Sequence, residues 1–249
     1  EQLEDPKLAK GLVKRDVIRV VTPGTNLNVQ AMDESKNNFL MCIAYFEGKS
    51  GISIVDVTTG DYYLTEASDT RKLLDEINKY GPSEIVCNDA FFMSGIDVDD
   101  LKGRLHIAVY PLEAHFFDED KCRRSLLKHF HVTSLQGMGI EDFPAGLIAA
   151  GALMLYLTDT QKTDLSHLTH LYPYLTSRYM LLDSSTRRNL ELTETIREEQ
   201  KRGSLLWVLD KTKTAMGARM LRSWLERPLL SVQDIDRRAA CVERLGGDT

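Results

Sequence analysis

Three β-rich runs, Phe39–Phe46, Ile52–Val57 and Tyr62–Glu66, are separated only by Glu47-Gly48-Lys49-Ser50-Gly51 and Thr58-Thr59-Gly60-Asp61. Short glycine-containing turns between such runs predict an antiparallel meander. Beyond Glu66 the rhythm changes. Ser68 or Asp69 is placed to cap a helix whose Leu73, Leu74, Ile77 and Tyr80 share one face, and Gly81-Pro82 stops it. Glu84–Cys87 reads as a short buried strand and Leu105–Tyr110 as another. Asp118 then opens a helix carrying Cys122, Leu126, Leu127 and Phe130 at helical spacing.

The most apolar stretch, Phe143 to Leu157, contains two glycines and a proline and falls short of a membrane span, so it is predicted to be a buried core helix. Asp142 suits its N-cap and Pro144 its first turn, where a missing N–H costs nothing. Gly146 and Gly151 leave bare backbone for a close neighbour, at about 1 kcal/mol each in helix propensity. A meander followed by alternating strands and helices implies a three-layer α/β domain with a mixed sheet, and the ribonuclease H-like arrangement fits best.

On either side the pattern differs. Val13–Val21, with alternating valines and charges before Thr22-Pro23-Gly24-Thr25, reads as an exposed or edge strand ending in a turn. Asn26–Asn38 is polar and reads as a linker. From Asp183 the sequence reads as all helical. Asp183, Ser204 and Thr214 are N-caps, Gly217, Met220, Leu221, Trp224 and Leu225 are assigned inward, and Pro228 ends that helix. Ser231-Val232-Gln233-Asp234 resembles a capping box ahead of an apolar stripe of Ile235, Ala239, Val242 and Leu245.

The segment from Asp183 carries 13 Lys+Arg against 11 Asp+Glu, and the whole chain has net charge −6, so neither part is a strongly basic nucleic-acid binder. Cys42, Cys87, Cys122 and Cys241 show no zinc-ligand spacing or disulfide framework and are read as reduced, cytosolic thiols. The acidic opening has no secretory character, and both ends suggest a piece of a longer protein.

Candidate chemistry is sparse. Gly48-Lys49-Ser50 looks like the end of a phosphate loop, but it joins two strands rather than a strand to a helix. A two-metal nuclease of ribonuclease H-like fold would need converging acids, with Asp56 as first ligand and Glu84, Asp89, Glu113 and Asp142 as the others on offer. His129 with His131 and His167 with His170 lack a partner at ligand spacing and read as solvated helix-end residues. Arg187, Arg188, Arg219, Arg222, Arg237 and Arg238 read as a solvated or salt-bridged helix face.

Three long motifs carry a resemblance over nearly the whole chain: Val17-Ile18-Arg19-Val20-Val21-Thr22-Pro23-Gly24-Thr25, Leu182-Asp183-Ser184-Ser185-Thr186-Arg187-Arg188-Asn189-Leu190-Glu191-Leu192, and Lys211-Thr212-Lys213-Thr214-Ala215-Met216-Gly217-Ala218-Arg219-Met220-Leu221-Arg222-Ser223-Trp224-Leu225. The chain resembles the MutS family of DNA mismatch-repair proteins. The resemblance implies that residues 1–25 are the tail of a mismatch-binding domain, 26–38 a linker, 39–176 a ribonuclease H-like connector domain, and 177–249 the start of a helical core or lever domain. It implies a parent that binds mismatched DNA, pairs with a second subunit, uses ATP and Mg, and recruits MutL through the connector, at residues left unassigned.

The family's mismatch-reading Phe-x-Glu belongs upstream, so Phe117-Asp118-Glu119 is a chance match, and the ATPase belongs downstream. The chain itself is therefore expected to be a cytoplasmic, non-catalytic coupling segment. It is expected to hold no metal or cofactor, to bind DNA weakly or not at all, and to have no membrane association. A metal-dependent nuclease centred on Asp56 is the alternative. Asn26–Asn38 and Thr176–Arg178 are the expected hinges.

Overall fold

A computed structural model describes residues 17–26, 35–162, 164–198 and 200–247. Its centre is a six-stranded mixed sheet: β1 (Phe39–Phe46), β2 (Lys49–Asp56), β3 (Asp61–Ala67), β4 (Glu84–Cys87), β5 (Ala108–Pro111) and β6 (Tyr172–Pro173). The strand order is β5-β4-β1-β2-β3-β6. The meander forms as its turns require, with Phe39 opposite Asp56 and Ser50 opposite Ala67. β4 joins β1 in parallel, β5 joins β4, and β6 joins β3. This is the ribonuclease H-like arrangement.

The pleat sends alternate side chains of β1 into two cores. Leu40, Cys42 and Ala44 enter one, with α3 (Glu119–Phe130) and α4 (Pro144–Gln161) over them. Phe39, Met41 and Ile43 enter the other, under α1 (Thr70–Tyr80) and α2 (Val98–Gly103). α4 is apolar nearly all round because it has two partners, the sheet below and α3 above, and an amphipathic stripe would leave one of them facing polar groups. Two glycines set these approaches. A Cβ on Gly51 of β2 would stand 1.9 Å from the Ala145 carbonyl oxygen, and one on Gly151 of α4 would stand 2.3 Å from Cys122 Cβ.

Several sequence expectations need correction. Residues 17–22 form no strand, because Val20 is taken up by α4: its N–H donates to Thr160 O and its carbonyl accepts from Gln161 Nε2. Residues 13–16 lie outside the described residues, as does 27–34 of the Asn26–Asn38 linker. Leu105 and Ile107 precede the strand at Ala108–Pro111, since His106 has positive φ and the Ile107 N–H turns back to Leu101 O.

Asp142 does not cap α4. Phe143 occupies the N-cap position without a side-chain bond, and Glu66 Oε1, from the neighbouring strand β3, accepts from Ala145 N at 2.6 Å and Gly146 N at 3.1 Å. A carboxylate at that end also meets the positive pole of the helix. Glu66→Ala is expected to cost about 1–2 kcal/mol in a urea melt, whereas Asp142→Ala should leave the midpoint unchanged.

Beyond the sheet lie α5 (Ser184–Asn189), α6 (Leu205–Leu209), α7 (Ala215–Glu226) and α8 (Val232–Gly247). Asp183, Ser204 and Thr214 cap the first three as their residue types require. The segment is less helical than expected, because 190–198 and 200–203 form turns, bends and irregular chain rather than helix. Met220 is exposed rather than inward, and the α8 stripe of Ile235, Val242 and Leu245 is exposed as well. Among the described residues no helix is long and apolar enough to cross a membrane.

Candidate functional site

Asp56 ends β2 fully buried, and its carboxylate is already saturated. Oδ2 accepts from Asn37 Nδ2 at 2.8 Å and Asn38 N at 3.1 Å, while Oδ1 accepts from the Thr58 N–H and hydroxyl at 2.9 and 2.6 Å. Those four donors satisfy the lone pairs that a metal would need. Glu84, at the same end of the sheet, accepts from Gly24 N and the Tyr156 hydroxyl, both at 2.9 Å. Asn38 ties the two together by donating to Pro23 O and accepting from the Ser83 hydroxyl. Of the acids that sequence reasoning assembled for metal chemistry, Glu84 directly and Asp56 through Asn38 thus serve to fasten the Thr22–Thr25 turn onto the sheet.

Asp118 caps α3, and Glu113 and Asp89 are exposed. Among the described residues no three His, Cys, Asp or Glu side chains are grouped to hold a metal ion. His129 and His167 are not simply solvated, since their Nε2 atoms bond the carbonyls of Leu168 and Val57. Glu47-Gly48 turns the β1–β2 hairpin, with Gly48 at φ 90°, and Lys49 opens strand β2 rather than a helix. That turn does not fit a nucleotide phosphate.

The polar feature that sequence reasoning missed sits where α1 meets the C-terminal helices. Inside the last turns of α1, Glu76 and Lys79 form an ion pair at 2.9 Å with side chains only 1% and 7% exposed. The Tyr174 hydroxyl donates to the same carboxylate oxygen, Glu76 Oε2, at 2.6 Å. Lys79 Nζ lies over the rings of Tyr174, Tyr179 and Tyr80 at 4.4, 4.8 and 5.3 Å. Burial pushes the Lys79 ammonium below its ordinary pKa and Glu76 opposes that shift, while burial drives Tyr80 up to about 12 and raises Tyr174 as well. Each charge of the pair has its partner and further polar or aromatic contacts, which is the condition for a buried charge to persist.

Two arginines of the helical segment close on this end of α1. Arg187 of α5 donates to Asn78 O at 2.7 Å and Lys79 O at 3.2 Å, the unpaired carbonyls at the negative pole of α1. Its Nε is fixed by Leu182 O. Arg227, just past α7, lies 4.9 Å over the Tyr80 ring. Met180 N and Pro228 O, with a bridge between Tyr179 and Leu229, continue the contact as a short two-stranded seam. Arg187 was expected on a solvated or salt-bridged helix face. It is instead half-buried, and burial lowers its pKa. The only local sequence signal was Arg187 in the last turn of α5; its acceptors on α1 lie more than a hundred residues earlier.

Comparison with known proteins accounts for this arrangement of parts. The model of MutS domain II matches residues 38–169, that of MutS domain I matches 1–30, and that of MutS domain III matches 185–249. The chain is 61% identical over 245 residues to the DNA mismatch repair protein MutS of Lachnoclostridium phytofermentans, covering 98% of this chain and 26% of that protein. Those of Ruminiclostridium cellulolyticum and Acetivibrio thermocellus are 47% and 46% identical, again over nearly all of this chain and 28% of theirs. The chain therefore spans little more than a quarter of the length of these relatives.

Proposed function

Because the chain belongs to the MutS family of DNA mismatch repair proteins, we propose that it is a non-catalytic coupling segment, passing the state of a mismatch-reading domain to an ATPase elsewhere in the whole protein. The observation that carries this reading is the grip of Arg187 on the α1 carbonyls. A segment transmits state when rigid bodies meet at a contact that two ligands bias differently, usually by about 1–3 kcal/mol. The α1 end supplies one rigid face and α5 with α7 the other, with the Thr176–Arg178 turn between them.

In this reading the chain holds no cofactor, and ATP with Mg²⁺, mismatched DNA and the second subunit are bound by the whole protein. It turns over no substrate of its own, and the saturated Asp56 argues against the nuclease alternative.

In the whole protein, Arg187→Ala is expected to leave mismatch affinity within about threefold while reducing the mismatch-dependent change in ATP turnover about tenfold, the loss of one charge-assisted contact of about 1.5 kcal/mol. Coupling of wild-type strength in that variant would refute the role given to the junction.

The same reading gives the sheet domain a contact for MutL. Supporting it are four large exposed apolar side chains around the C-terminal ends of β1, β4 and β5: Phe46, Phe92, Met93 and Tyr110. Such side chains in one region mark contact surfaces more often than solvent faces. Purified MutL titrated against the chain is expected to bind, and Phe92→Ser with Met93→Ser to weaken binding at least tenfold, about 1.4 kcal/mol. Unchanged affinity in the double variant would move the contact off this surface.

A further inference from the structure

The junction encloses a cleft of about 430 Å³ between the end of α1 and the inner face of α7. Its lining includes Lys36, Arg187, Arg219, Arg222 and Arg227, against the carboxylates of Glu194 and Glu226. Both acids are already engaged: Glu194 takes Lys36 at 2.6 Å, and Glu226 takes Arg222 Nη1 at 3.2 Å. Arg187 is spent on neutral carbonyls and Arg227 on the Ser223 hydroxyl and the Tyr80 ring. Neither of these two arginines has a carboxylate within 4 Å among the described residues.

Two guanidinium groups, those of Arg187 and Arg227, therefore line the cleft without a carboxylate contact among the described residues. Burial pushes the Arg187 guanidinium below its ordinary pKa; the field of Glu226 opposes that shift and the field of Arg227 adds to it. Most telling is Arg222. Its side chain is only 13% exposed, and its Nε and Nη2 are buried with no hydrogen-bond acceptor. Nη2 comes no nearer than 3.9 Å to Glu194. A buried charged donor without an acceptor is among the costliest unsatisfied groups a fold can carry.

We propose that this cleft is a binding site for a phosphate-bearing anion, held by Arg222 with Arg187 and Arg227, which fastens the helical segment to the sheet domain. Phosphate suits the site better than a carboxylate. It offers several oxygens and up to two negative charges to planar guanidinium forks converging from different elements. The volume falls within the range of small-molecule sites and exceeds what one bare ion fills, so a phosphate ester or a stretch of nucleic-acid backbone fits the same chemistry. For its effect on coupling the inference rests on the reading of the junction above; the binding itself does not.

Thermal melts of the chain at constant ionic strength, set with chloride, test it. Pyrophosphate is expected to raise Tm by about 3–6 °C at ten times its Kd. Arg222→Gln should abolish the rise, whereas Lys128→Gln on α3, remote from the cleft, should keep it. Arg187→Gln provides a second variant should Arg222→Gln fold poorly by circular dichroism.

A short DNA duplex run in parallel separates the sources: a rise with pyrophosphate assigns a free phosphate compound, and a rise with duplex alone assigns the backbone. No rise beyond chloride with either probe, or a rise that survives both arginine variants, overturns the proposal. If the anion binds as expected while the Arg187→Ala whole protein couples normally, the site stands and the coupling role falls.

Discussion

Gly151→Ala is expected to destabilise the chain by about 4 kcal/mol or more, a large share of the roughly 5–15 kcal/mol that holds an ordinary domain together. In an isolated helix the same change would help by about 1 kcal/mol. The sign reverses because an added methyl would stand 2.3 Å from Cys122 Cβ and 2.4 Å from its Cα, so α3 and α4 would have to separate. No rotamer change relieves a collision with backbone. Gly103→Ala in α2 is the control, since nothing lies within 4 Å of its added Cβ. Urea melts of both variants decide the matter. A Gly151→Ala protein with the wild-type midpoint would mean that the two helices do not approach this closely.

The second large effect lies at the junction. Glu76→Leu removes the partner of a lysine only 7% exposed and the acceptor of the Tyr174 hydroxyl, and is expected to cost about 3–5 kcal/mol. Adding Lys79→Leu to it should recover most of that loss, because the penalty comes from an unpaired buried charge more than from the attraction forgone. The recovery is incomplete to the extent that three tyrosine rings lose a cation, about 0.5–2 kcal/mol. A double variant no more stable than the single one would assign the stabilisation to the rings.

Local patterns were enough to find β1 and β4 at their observed bounds, the start of α1 at one of two candidate caps, Ser68 or Asp69, of which Asp69 serves, the start of α3 at Asp118, and the caps Asp183, Ser204 and Thr214. Each depends on residues within a few positions of one another. The failures share a different property. The cap of α4 comes from Glu66, 79 residues before the N–H it binds, and Val20 is drawn out of a strand by a carbonyl 140 residues away.

The site follows the same division. Asp56 was singled out for its residue type and strand, but whether its oxygens are vacant depends on Asn37 and Asn38 from another strand end. Arg187 and Arg227 look like any exposed helix arginines until the end of α1 is brought against them. β6 was invisible because two residues carry no period.

That short strand decides how the sheet domain would yield to a pull. Tension applied between the Thr22–Thr25 turn and the helical segment enters at one side through Glu84, Asn38 and Thr160, anchors spread over three elements. It leaves through β6, whose pairing with β3 covers only Tyr63–Tyr172 and Leu64–Pro173. A two-residue strand at a sheet edge gives way one bond at a time, while the eight-pair ladder of β1 and β2 shares its load. The exit side is thus the mechanical fuse, backed beyond the two paired residues by the Tyr174 N–H on Leu64 O, the Thr65 hydroxyl on Tyr174 O and the Tyr174 hydroxyl on Glu76.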